Sequence, residues 1–71
     1  MDIYNKYEKQ SINRFLFLKD NQIETMKNNH IDTLGELSNI SRKELKNIGI
    51  ELQSIDEIDY ELQRLGMGLR S

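Results

Sequence analysis

Few side chains in this sequence are equipped for covalent chemistry. His30 is the single imidazole, and there is no cysteine. Nucleophilic catalysis needs a nucleophile, a base within hydrogen-bond reach and a group that orients the base. His30 stands next to Asn28 and Asn29, a polar run that reads as a helix end. With Asp32 it supplies one imidazole and one carboxylate, too few ligands for a metal site. No phosphate-cradling GxxxxGK run occurs. The sequence therefore points away from an enzyme, and no cofactor, metal or small-molecule substrate is expected.

Charge patterning is more informative. Glu51, Asp56, Glu57, Asp59 and Glu61 form an acidic stretch with no base until Arg64. Their spacing is not that of a calcium loop. Carboxylates in the first turn of a helix are also favoured by its dipole. Arg42, Lys43 and Lys46 cluster upstream and read as a solvated helix face. Ten basic residues against twelve acidic ones give a net charge of −2, whereas a free-standing nucleic-acid binder normally shows a basic excess or stripe. The longest apolar run, Phe15-Leu16-Phe17-Leu18, is far short of the roughly 20 residues a membrane span needs. The opening, with Asp2, Lys6, Glu8 and Lys9, lacks the apolar core of a signal peptide. A cytoplasmic location without membrane attachment is the expectation, and the lack of cysteine agrees with a reducing compartment.

The elements that would position these groups read as short helices. Proline is absent, and three segments have the capping-box pattern, a Ser or Thr followed three residues on by Glu. They begin at Thr33, Ser41 and Ser54, with Glu36, Glu44 and Glu57 as the returning carboxylates. They predict helices over 33–38, 41–48 and 54–65, the last two closed by Gly49 and Gly66. Asp20 is the expected N-cap of an earlier helix over 20–29, in which Asn28, Asn29 and His30 form the end because Asn tolerates the left-handed conformation. In the last helix Ile55, Ile58, Leu62 and Leu65 step by three, four and three, a core stripe. Ile3, Tyr4 and Tyr7 suggest a short amphipathic helix ending near Gln10. Phe15-Leu16-Phe17-Leu18 reads as extended chain laid across the helices. The expected organisation is an N-terminal helix or arm over 1–18 packed on a helical domain over 19–71.

From 18 to 69 the order of motifs resembles the C-terminal domain of the bacterial RNA polymerase alpha subunit. The likeness is carried by Ile31-Asp32-Thr33-Leu34-Gly35-Glu36-Leu37, then Glu44-Leu45, then Ser54-Ile55-Asp56-Glu57-Ile58, then Leu65-Gly66-Met67-Gly68-Leu69. The resemblance implies an all-α fold, a compact bundle of four to five short helices containing a helix-hairpin-helix. Such modules bind duplex DNA through backbone amides of a glycine-rich hairpin and flanking bases. Here the hairpin is Ile48-Gly49-Ile50-Glu51-Leu52-Gln53. Glu51 stands where the family tends to have a second glycine, and Gln53 where a lysine is usual. Asn21 and Glu24 stand where the family has its minor-groove arginine and a following asparagine. Carboxylates on a docking face repel phosphate, and without lysines there is little counterion release to drive binding.

Two functional expectations follow. The first is a transcription-associated protein-interaction domain whose acidic residues Glu51, Asp56, Asp59 and Glu61 meet a basic protein partner. A small inhibitor or mimic from a mobile element is a variant of it. The second is a weak, largely sequence-independent DNA-binding domain using Lys27, Lys46, Gly49 and Ser54. The chain is expected to be a monomer or a weak dimer.

Overall fold

The computed structural model describes residues 6–70. Among them a single 3-10 turn, Ile12–Arg14, is followed by four α-helices: α1 (Asp20–Asn28), α2 (Leu34–Ser38), α3 (Arg42–Asn47) and α4 (Leu52–Arg64). No strand is present among these residues; two isolated bridges join Ser11 to Thr33 and Ser41 to Arg70. The fold is all-α. No helix among the described residues is long and apolar enough to cross a membrane.

Local chemistry places two of the helix starts as expected. The Thr33 hydroxyl accepts from the Glu36 N–H at 3.2 Å, and the Glu36 carboxylate accepts from the Thr33 N–H at 3.1 Å. Ser41 and Glu44 make the same reciprocal pair, both bonds at 3.1 Å. The box expected at Ser54 does not form. Helix α4 starts at Leu52 with Glu51 as N-cap, so Ser54 lies inside the first turn and its hydroxyl accepts from Gln22 Nε2 at 2.8 Å. The hairpin explains the shift. Ile50 must return its N–H to the Leu45 carbonyl and bury its side chain. The chain then enters the next helix at once, with the Glu51 carbonyl accepting from Ile55. Likewise α1 is capped at Lys19 rather than Asp20, with the Gln22 side chain accepting from the Lys19 N–H at 2.9 Å.

Three helices end alike. After α1, α3 and α4 a residue with positive φ (His30 at 64°, Gly49 at 102°, Gly66 at 79°) reverses the chain. The following residue then donates to the carbonyl five positions back: Ile31 to Met26, Ile50 to Leu45, Met67 to Leu62. This is the Schellman pattern with its accompanying apolar pair. The upstream member of each pair (Met26, Leu45, Leu62) is fully buried. Each stop therefore also contributes a core contact.

The arm differs from its expectation. Ile3 and Tyr4 lie outside the described residues, and 6–10 forms turns, not helix. Its carbonyls have a specific use: Gln10 accepts from the Leu34 N–H at 2.8 Å and Glu8 from the Gly35 N–H at 2.9 Å. With the Thr33 hydroxyl on Glu36, they satisfy the first three orphan donors of α2. Gly35 is needed for this approach, since a Cβ there would stand 3.0 Å from the Glu8 carbonyl oxygen. Beyond the 3-10 turn, 15–18 is a turn rather than extended chain. Phe15 and Leu18 enter the core, Phe17 stacks on Phe15 at 5.3 Å, and Leu16 points out.

One cluster of buried side chains spans the arm, the hairpin and all four helices, from Ile12, Phe15 and Leu18 through Met26, Leu34 and Leu45 to Ile55, Ile58 and Leu62. Among the described residues no polar or charged residue is buried, and no buried side-chain nitrogen or oxygen lacks a partner. The Cα radius of gyration, 11.3 Å, matches the ~11 Å of a compact chain of this length.

Candidate interaction surface on the last helix

The stripe Ile55, Ile58 and Leu62 faces the core, which fixes the direction of every other α4 side chain at about 100° per residue. Leu52, Gln53, Asp56, Glu57, Tyr60 and Arg64 point outward and are exposed. Leu52 and Tyr60 remain 62% and 64% exposed. They lie eight residues apart with Asp56 midway, so one ridge about 12 Å long reads Leu, Asp, Tyr.

The acidic residues do not act as one free patch. Asp59 sits on the flank toward α3 and the C-terminal segment. Its Oδ1 accepts from the Leu69 N–H at 3.1 Å, and its Oδ2 accepts from Gln63 Nε2 and Arg42 Nη2, both at 3.1 Å. The Leu69 N–H above all, then the Gln63 amide and Arg42, hold its carboxyl below the usual aspartate value against the opposing effect of burial. Asp56 meets Arg42 Nη1 at 2.6 Å, with both side chains about half exposed. The Asp56 and Asp59 hydrogen bonds in turn raise the Arg42 pKa. Arg42 is thus a clamp between the start of α3 and the middle of α4, while it stays exposed on the same helix as Lys43 and Lys46. Glu61 lies on the other flank, pairs with Arg64 at 3.2 Å, and lines a groove with Arg14, Phe15 and Phe17. Glu51 is exposed at the N-cap of α4 without making a side-chain cap bond. Exposed on the outer face itself, Glu57 was set aside in the sequence as a capping partner.

The residues of the DNA expectation are dispersed. Gly49 is exposed at the hairpin tip, and no atom beyond its own chain neighbours lies within 4 Å of where its Cβ would be. Ser54 is half-buried and bonded to Gln22. Lys46 is exposed near the end of α3 and Lys27 near the end of α1. Glu51 intervenes between Gly49 and the open amides at the start of α4. Among the described residues no group of three or more His, Cys, Asp or Glu is placed to hold a metal ion.

Sequence reasoning missed Leu52, Tyr60 and Arg42. Tyr60 was legible, because it falls opposite the Ile55, Ile58, Leu62 stripe. Leu52 was hidden by starting the helix at Ser54. Nothing local to Arg42 announces a partner fourteen residues away. Compared with models of known protein families and with curated proteins, the chain matches none.

Proposed function

We propose that this chain is a non-enzymatic, cytoplasmic protein-binding module of the kind its motifs resemble, the RNA polymerase alpha C-terminal domain, and that it engages a basic protein of the transcription machinery. The observation that supports the reading is the outward ridge of α4, where Leu52 and Tyr60 stay exposed beside Asp56 and Glu57. Two apolar anchors, one an aromatic, within a charged rim is how protein interfaces concentrate their binding energy. The carboxylates would steer a basic partner and discourage an acidic one. An inhibitor that occupies a surface meant for the genuine domain would use the same ridge.

The test is binding of the immobilised chain to purified bacterial RNA polymerase, followed by interferometry. The wild type is expected to bind, and Tyr60→Ser with Glu57→Lys to weaken binding at least tenfold while leaving the thermal melt in place. Absence of polymerase binding would remove the transcription assignment. Undiminished binding by the double variant would remove the ridge.

A second reading, sequence-independent duplex binding, draws on the open space over Gly49. Phosphate approaching the α4 amides there would meet Glu51. Fluorescence anisotropy with an A·T-rich duplex at low salt decides it: saturable binding that weakens with salt supports the hairpin, and flat anisotropy ends this reading.

A further inference from the structure

Leu16 is 92% exposed, far more than Leu52 or Tyr60. Its neighbours force it outward. Phe15 and Leu18 are drawn into the core, and the Leu18 N–H donates to the Phe15 carbonyl at 3.1 Å, closing a tight turn with Leu16 at its tip. A shallow groove opens on each side of this knob. One, of about 350 Å³, is lined by Phe15, Phe17, Arg14 and Glu61. The other, of about 310 Å³, is lined by Leu18, Ile23 and Asp20 among others. Knob and holes therefore belong to one patch.

We propose that this patch is a self-association surface on which a second copy of the chain docks with two-fold symmetry, each Leu16 entering the groove beside the other's Phe15 and Phe17. A patch that carries both the projection and the recess it fills is self-complementary, as a two-fold interface requires. Charge favours a like copy here. The groove edges carry Arg14 on one hand and Glu61 and Asp20 on the other, so two-fold pairing can bring cation to carboxylate. A contact built around one leucine and two rings buries well under the ~800 Å² per partner of a stable complex. The dimer is accordingly weak, with a dissociation constant on the order of 0.1 mM.

Sedimentation equilibrium of the full chain between about 10 µM and 1 mM tests this, since a weak dimer must be concentration-dependent. The average mass is expected to climb from monomer toward dimer for the wild type and for Leu52→Ser. Leu16→Ser is expected to stay monomeric throughout, with an unchanged melting temperature because the side chain lies outside the core. A wild type that is monomeric at 1 mM, or a dimer that survives Leu16→Ser, overturns the proposal. Either result leaves the α4 ridge untouched, because that ridge is a different face.

Discussion

His30 adopts φ 64° in α1's closing turn, a region that costs an L-residue roughly 1–2 kcal/mol. His30→Gly should therefore stabilise the fold by about 0.5–1 kcal/mol, the relief being partly offset by the greater freedom of glycine in the unfolded chain. A higher urea midpoint at unchanged slope is the expected readout. The helix end was legible from the Asn28-Asn29-His30 run, but asparagine was expected to take the left-handed position. Core pairing decides otherwise. A reversal at His30 joins Met26 to Ile31, both buried, whereas a reversal one residue earlier would have put His30 itself in the core-facing place. The carboxylates make a second residue-scale prediction. Asp59 is held low chiefly by the Leu69 N–H, Glu36 by the Asp32 and Thr33 N–H groups, and Glu44 by the Ser41 N–H and hydroxyl. A pKa lower in the folded than in the unfolded state stabilises the fold above the unfolded value, and that contribution is lost as pH falls through the folded one. Stability should be level near neutrality and decline from about pH 5 downward, with Asp59→Asn flattening part of the decline. Urea midpoints at pH 7, 4 and 3 would reveal it; equal midpoints would mean these hydrogen bonds do not distinguish ionised from protonated carboxyls.

Capping boxes separate what an element's own sequence determines from what its neighbours impose. Thr33 and Ser41 are themselves extended and cap their helices as their sequence dictates. Ser54 carries the same pattern, yet α4 has already begun two residues before it, because the stop of α3 delivers the chain straight into the next helix. Local sequence specifies a cap only where tertiary structure leaves the chain free to start there. Consequently Ser41→Ala should cost about 1 kcal/mol, within the 0.5–2 kcal/mol of a lost N-cap. Ser54→Ala, which removes one partly exposed hydrogen bond to Gln22, should cost less than half as much. Thermal melts of the two variants side by side give the ratio. Equal losses would mean that Ser54 caps α4 in solution and that the helix begins later than Leu52. The same misplacement hid the candidate site, since with Leu52 outside the helix its alignment with Asp56 and Tyr60 could not be seen. Arg42 illustrates a further limit. It closes a gap between α3 and α4 that exists only once both helices are packed.

At the scale of the whole molecule, the arm and the four helices share one core. A 71-residue chain without cysteine has no disulfide to supplement a core that supplies only ~3–5 kcal/mol, so each buried group is a large fraction of the total. The sequence pointed to this core on the helices, where Ile58 and its stripe follow helical spacing. It was less clear in the arm, where Ile12, Phe15 and Leu18 are spaced by threes yet belong to a 3-10 turn and a reversal. Burial there is set by what the segment covers, not by its own period. Ile12 is as fully buried as Ile58, and its N–H donates to the Asp32 carbonyl at 3.0 Å, which ties the arm to the loop before α2. If the arm is part of the folding unit, deleting one methyl group should cost the same in both places. Ile12→Val and Ile58→Val should each lose about 0.5–1.5 kcal/mol, with a fall in melting temperature of roughly 4–8 °C per kcal/mol. Both should keep a single transition. A melt unchanged by Ile12→Val but lowered by Ile58→Val would make the arm an appendage, and with it Leu16 would lose the fixed turn that holds it outward.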